Sequence, residues 1–496
     1  MKFGNLLHIG ALLIVQFILL VFPAHPAAAV EKDDFPALPE YNSVNGVLTA
    51  TIELKDQKID FGDVSFDGAT FNGSYGGPVL RVHPGDTMKL KLVNHLNKPT
   101  NFHFHGIHTS PLGKSDNVFI FIKPGETFDY EVKINEDQPP GLYWYHTHIH
   151  GLAQEQTIKG LSAALIVEGL ENQFPQIKNL KARLFVLKDR SYDHSDDPVI
   201  IKKYHKYIET INGQTFVNIK MHPGETQFWR FGNQSAGNHF HFVLPGHKFR
   251  IIAIDGAALN QEIVTDKLDI GPAKRYSVLI DAGEAGTYSL LSPGVITGNG
   301  DQRQDDRVMG KVIVAGEPAK PIGQIDHFPV TEDLRKRPID AERTIMFSEK
   351  VEGDDTSYYI NDKSFDAARV DIRVPHGNTE EWTIKNSSHD THLFHIHQMH
   401  FQVVAINGVE QPFTGHVDTI EIPEMGEVKI IVPFTAPYVL GKFVYHCHVL
   451  EHEDKGMMAI VQVYDPQNPD DEDPSQPSVM QMYHSDHDHM HQGGGT

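Results

Sequence analysis

The sequence predicts an all-β protein built from three consecutive Greek-key β-sandwich domains. Three observations carry that reading. Short alternating apolar runs broken by Gly, Pro and Asn dominate the chain, and long helical periodicity is scarce. One phrase recurs: "RVHPGDTMKLKLVNH" at 81–95, "KMHPGETQFWRFGNQS" at 220–235 and "RVPHGNTEEWTIKNSS" at 373–388. Each copy reads as a turn, a strand and an Asn-containing loop. Each unit also closes alike, on "GLSAALIVEG" from 160, "MGKVIVAGE" from 309 and "GMMAIVQVYD" from 456. A spacing of roughly 140 to 150 residues is too long for a solenoid and marks copies of a whole domain. About 130 residues of short strands per copy suits a Greek-key sandwich.

Residues 1–29 hold one lysine, an apolar run and Ala27-Ala28-Ala29. That is the layout of a secretory signal peptide, with cleavage expected near Ala29. The run is long enough to leave an uncleaved membrane anchor open. No cysteine follows it and no Arg-Arg pair precedes it, so neither a lipid anchor nor the twin-arginine route is indicated. The three sandwiches are expected over 30–172, 173–320 and 321–465. Residues 466–496 form the tail. Its acidic, Pro-rich start, "DPQNPDDEDPSQPS" from 465, predicts disorder. Its end, "VMQMYHSDHDHMHQGGGT", holds four histidines and three methionines. It reads either as a mobile metal-capturing segment or as a solvated tail.

The chain has 496 residues and a formal charge of -22. That charge disfavours nucleic acid as a partner and favours cations. Export to a periplasmic or extracellular location is expected, and a monomer. Cys447 is the only cysteine, so no intramolecular disulfide forms. An exported protein without disulfides draws its stability from large cores or bound metal.

The 31 histidines cluster. His-x-His occurs at His103/His105, His146/His148, His395/His397 and His446/His448. On a strand, side chains alternate faces, so each pair presents both imidazoles to one side. Eight histidines so arranged, two pairs in the first unit and two in the third, exceed what a core satisfies by chance. The middle unit has one such pair, His239/His241, but reads "GTYSLLSPG" where the others read "YWYHTHIHG" and "FVYHCHVLE". His239 and His241 are therefore taken as a remnant or as packing residues. Cys447, between His446 and His448, faces the opposite way and needs its own partners. His392 lies an odd offset before His395, His452 follows in the next loop, and Met457 follows that. One thiolate, two imidazoles and a thioether make a blue-copper electron-transfer site. The eight paired histidines make a second site, for a cluster of metals, directly behind it.

"HFHG" at 103, "WYHTHIHG" at 144, "HLFHIH" at 392 and "HCHVLEHEDKGMM" at 446 closely resemble the four copper signatures of the multicopper oxidases, in order and in the matching units. The resemblance spans nearly the whole mature chain and implies three cupredoxin-like domains holding four copper ions. It implies type 1 copper on His392, Cys447, His452 and Met457. It implies type 2 copper on His103 and His395, and a binuclear type 3 pair on His105, His146, His148, His397, His446 and His448. The cluster would lie between the first and third domains, with the second as a copper-free spacer. The implied activity oxidises a reducing substrate one electron at a time and reduces O₂ to water. Asp116, eleven residues after His105, resembles the family's acidic residue near the cluster, and Glu453 its second proton relay. Both are candidate proton donors. His108, His150 and His400 sit beside the motifs and read as structural. His389 and Asp390 are candidates for steering a substrate.

Two other readings compete. Two-domain copper nitrite reductases lack four His-x-His pairs. A copper-storage protein needs no type 1 thiolate. For the reducing substrate, a Met axial ligand suits phenols and also Cu(I) or Fe(II). Only 12 methionines occur and none forms a Met-rich insertion near the type 1 signature. A laccase-like enzyme acting on phenols is therefore expected, with a metal-ion substrate as the alternative.

Overall fold

The computed structural model describes residues 34–62, 64–191, 207–294, 306–353 and 355–469. The expected signal peptide and the His/Met-rich end of the tail lie outside the described residues.

Six sheets pair into three sandwiches. The alternation that announced strands works as expected. Along Val47–Asp60, Leu48, Ala50, Ile52 and Leu54 are buried while the residues between them face water. Each sandwich has two parallel pairings at equivalent places, and the first adds a third, Glu40–Asn42 beside Val79–Val82. In the first, Val47–Asp60 runs beside Thr87–Asn94 and Val79–Val82 beside Ser162–Val167. In the second, Lys181–Ser191 runs beside Thr226–Asn233 and Val217–Met221 beside Arg307–Val314. In the third, Ala341–Glu352 runs beside Thr379–Asn386 and Ile372–Pro375 beside Met458–Tyr464. The remaining pairings are antiparallel, and the chain crosses repeatedly between the two sheets of each sandwich.

The recurring phrase has a structural cause. Its turn glycines, Gly85, Gly224 and Gly377, all adopt left-handed backbone, with φ of +88°, +74° and +104°. Its asparagines pin the loop that leads into the next strand. Asn94 Nδ2 donates to the carbonyls of Lys98 and Ile122, Asn233 Nδ2 to those of Asn238 and Ile270, and Asn386 Nδ2 to those of Asp390 and Pro423. The pinned loops deliver the strands His103–His105, Phe240–Val243 and His392–Ile396.

Each sandwich has its own core. Phe71, Phe102, Tyr130 and Tyr145 fill the first, Phe185, Trp229, Phe231 and Phe242 the second, and Trp382, Phe394, Phe434 and Tyr445 the third. Cys447 and Met457 belong to that third core. The second sandwich is tied to chain on both sides of it. Phe35 packs on Phe185 with ring centroids 5.0 Å apart, and Ile322, Ile325 and Phe328 pack with Phe174, Phe228 and Leu279. Among the described residues no helix is long and apolar enough to cross a membrane.

Candidate metal centres

Strand register assembles both sites. In the third sandwich His392–Ile396 pairs with Gly441–Cys447, setting His395 opposite His446 and Phe394 opposite Cys447. In the first, His103 lies opposite His146 and His105 opposite Trp144. Alternation then sends His446 and His448 out of the third sandwich and Cys447 into it.

Inside the third sandwich His392 Nδ1 and His452 Nδ1 each lie 3.6 Å from Cys447 Sγ and 3.0 Å from one another. All three residues are buried. Ser388 Oγ donates to Asn386 Oδ1 at 2.7 Å, so His392 Nε2–H donates to Ser388 Oγ at 2.8 Å. That bond leaves the Nδ1 lone pair facing the thiol. The repeated asparagine thus orients a ligand as well as a loop. His452 stacks on Tyr358 at 4.1 Å between centroids. It sits on the short helix Leu450–Asp454, where a loop was expected. A helix of five residues is too short for periodicity to announce. Met457 is fully buried, and its backbone bonds tie it to both neighbours: Cys447 N–H donates to its carbonyl and its own N–H donates to His452. Burial pushes the Cys447 thiol up to about 12.

The eight paired histidines converge between the first and third sandwiches, all buried. His103 stacks on His397 and His105 on His395, each pair 3.7 Å apart between centroids. His446 Nε2 lies 3.1 Å from His397 Nε2 and 3.3 Å from His148 Nε2. Three Nδ1–H groups donate to carbonyls: His146 to Thr147 at 3.0 Å, His395 to Asp418 at 2.7 Å and His446 to Cys447 at 2.9 Å. Nitrogens of His103, His105, His146, His395, His397 and His448 are buried with no hydrogen-bond partner among the described residues. Buried polar atoms are rarely left so. Burial and mutual crowding hold these imidazoles below the ordinary histidine range, His148 and His446 at about 4 and His395 at about 3. Neutral rings with free inward nitrogens fit metal ligation, and copper in particular suits such a set.

The two expected carboxyls border this cluster. Asp116 lies 3.1 Å from His103 Nδ1 and accepts from the backbone N–H of Phe104 at 3.0 Å. Glu453 lies 3.0 Å from His446 Nδ1 and 3.6 Å from His148 Nε2. Burial raises Asp116 to about 8 and Glu453 to about 7. Three further residues escaped the sequence reading. Gln398 reaches from the third sandwich to donate to Asp116 Oδ2 at 3.1 Å. Asp418 and Arg275 form a buried ion pair beside His105 and His395. No spacing or composition marks "GPAKRYS" or "GHVDTI" as part of a site. The middle sandwich is thus more than a spacer, because it supplies Arg275.

His108 Nε2–H donates to His400 Nδ1 at 2.8 Å, and His400 Nε2–H to the Asp255 carbonyl at 2.9 Å. Both are interdomain contacts outside the cluster. His150 packs on Phe365. His241 Nδ1 pairs with Asp269, and His239 and His241 line a cavity of about 530 Å³ between the second and third sandwiches. Among the described residues they join none of the groups of converging ligand atoms. His389 is exposed and pairs with Glu424 at 2.8 Å. Asp390 lies beside it, and burial raises its carboxyl.

Comparison with known proteins agrees with this geometry. Three multicopper oxidase family models match residues 53–172, 179–315 and 337–467. The chain is 27% identical over 443 residues to the multicopper oxidase mco of Staphylococcus aureus, covering 84% of this chain and 89% of that protein. It resembles the solved multicopper oxidase of Campylobacter jejuni, described as a metallo-oxidase, with TM-score 0.73, 25% identity and coverage of 87% and 96% of the two chains. It also resembles a laccase-like multicopper oxidase from Ochrobactrum with activity towards lignin model compounds, with TM-score 0.71, 25% identity and coverage of 86% and 100%. The chain belongs to the multicopper oxidase family and is a copper-dependent oxidoreductase of the cupredoxin fold that passes electrons to O₂.

Proposed function

We propose that this chain is a laccase-like oxidase whose reducing substrates are phenols. His392, Cys447, His452 and Met457 hold type 1 copper, His103 and His395 type 2, and His105, His146, His148, His397, His446 and His448 the type 3 pair. Bound copper supplies one-electron acceptance at the first site and four-electron reduction of O₂ to two waters at the second. The chain's residues do the rest. Cys447 sits in the bonded stretch His446-Cys447-His448, so its backbone links the two centres directly. That juxtaposition is the observation that carries the reading. Asp116 and Glu453, whose carboxyls burial raises well above the usual range, are placed to donate protons beside the imidazoles of His103 and His446.

The absence of a Met-rich insertion near the type 1 signature favours phenols. The likeness to a metallo-oxidase and the His/Met tail favour a second reading, oxidation of Cu(I) or Fe(II). Export through a cleaved signal peptide, domain limits near 172, 320 and 465, and a monomeric state complete the proposal. Oxygen uptake by copper-loaded protein on phenols beside Cu(I), Fe(II), Mn(II) and bilirubin tests it. Turnover of phenols well above the metal ions is expected. Turnover of Cu(I) or Fe(II) alone would replace the laccase reading with the metal-ion one.

A further inference from the structure

Arg275 belongs to the middle sandwich, which holds none of the proposed copper ligands, yet its side chain ends at the cluster. It is 1% exposed. Its Nη1 and Nη2 donate to the two oxygens of Asp418 at 2.8 and 2.5 Å, the fork geometry that guanidinium and carboxylate share. Its Nε donates to the carbonyl of Leu142 at 3.2 Å and Nη1 to that of Ala273 at 2.8 Å. One guanidinium thereby joins all three sandwiches. Its partner Asp418 touches two proposed ligands. The Asp418 carbonyl accepts from His395 Nδ1 at 2.7 Å, and Asp418 Oδ2 lies 3.6 Å from His105 Nδ1. His105 Nδ1 is also 3.3 Å from Arg275 Nη1. Asp255 and Lys274, bonded at 2.6 Å, lie alongside and complete a block of two cations and two anions.

The chain makes room for this clasp. Gly106, next to His105, has φ +79°. A Cβ there would meet Asp418 Oδ2 at 2.2 Å, Arg275 Nη2 at 2.8 Å and Tyr143 at 2.9 Å. The glycine of "HFHG" is thus filled by the ion pair, in addition to its turn.

We propose that Arg275 is a positioning residue for the oxygen-reducing cluster, fixing the rings of His105 and His395 through Asp418. Partners that hold the second nitrogen of a ligating histidine fix its tautomer and orientation. Here the holder is itself held by a domain that ligates nothing. Without Arg275 the buried Asp418 carboxylate would keep only the Thr419 hydroxyl as a close hydrogen-bond donor, and its displacement would move the groups that face His105 and His395. The inference rests on the ligand assignment proposed above.

The test compares copper-loaded wild type with Arg275→Lys, which keeps the charge but not the fork. It adds Arg275→Met/Asp418→Asn, which leaves no buried charge unpaired and so guards against a simple failure to fold. Copper content, the blue type 1 absorption, the type 2 electron-paramagnetic-resonance spectrum and reoxidation by O₂ are measured for each. Both variants should keep the blue band, since Arg275 does not touch Cys447. Both should show altered type 2 hyperfine splitting, at least a twofold loss of cluster copper and tenfold slower reoxidation. Wild-type copper content and spectra in both variants would overturn the inference while leaving the ligand assignment standing. A wild type with no type 2 or type 3 signal would instead overturn the assignment itself.

Discussion

At the residue scale, chemistry is decided by what each buried polar atom faces. Cys447 is enclosed by His392, His452 and apolar core, and no other thiol exists in the chain. Copper-loaded protein should be blue, and Cys447→Ser should lose that colour while keeping the other coppers. Optical spectra with metal analysis check this, and a blue serine variant would end the assignment. Asp116→Asn and Glu453→Gln should keep copper and colour but reoxidise on the order of 10²-fold more slowly, since general acids contribute about that much. Stopped-flow mixing of reduced enzyme with O₂ measures it. Gln398 offers a separate test. It adopts φ +70°, a left-handed backbone that costs a side chain about 1–3 kcal/mol at a functional site, and its amide bridges to Asp116. Gln398→Gly should melt at the same or a higher temperature yet reoxidise more slowly. A variant less stable and equally fast would make Gln398 a packing residue.

At the scale of the element, the strand pairs were legible and the helices were not. Period-2 alternation and His-x-His spacing placed eight imidazoles outside the sandwiches and Cys447 inside, because the side-chain direction of a strand is fixed by residue number alone. The helix Leu450–Asp454 left no such mark. One Glu451–Lys455 pair at 2.9 Å and packing hold it together. Its last residue, Asp454, accepts from the backbone N–H groups of Gly151, Ala153 and Gln154 at 2.8, 3.2 and 2.8 Å. It thereby caps the helix Ala153–Lys159 of another sandwich. The carboxylate links the segment after His148 to the helix carrying His452 and Glu453, across the face where the histidines meet. Losing a helix cap costs roughly 1 kcal/mol. Asp454→Ala should therefore lower the melting temperature and weaken cluster copper more than type 1 copper. Loss of both coppers in equal measure during chelator titration would mean that Asp454 acts on overall stability only.

At the scale of the whole molecule, the repeat was legible and the interfaces between its copies were not. Three recurrences of one phrase revealed three sandwiches, because each copy needs the same left-handed glycine and the same loop-pinning asparagine. Interdomain contacts join residues far apart in sequence through single side chains, which leave no periodic trace. Lys188 is the clearest case. It lies on the strand Lys181–Ser191 of the second sandwich, and is 2% exposed. Its three Nζ protons go to the carbonyls of Tyr75, Gly160 and Ser162 in the first, at 2.5, 2.8 and 2.7 Å. Lys188→Met would fit the space but take one donor from each of these carbonyls, of which that of Gly160 keeps the backbone N–H of Ser162, at a total cost on the order of 1–3 kcal/mol or more. The chain has several cores, so one midpoint will not describe its melting. Calorimetry of Lys188→Met should show an early transition for the first and second sandwiches, while the type 1 centre, wholly within the third, keeps its colour through that transition. A single unshifted transition would show that water or neighbouring donors satisfy those carbonyls. Loss of colour in the same early step would show that the three sandwiches unfold as one unit, with the histidine interface stronger than the lysine clasp.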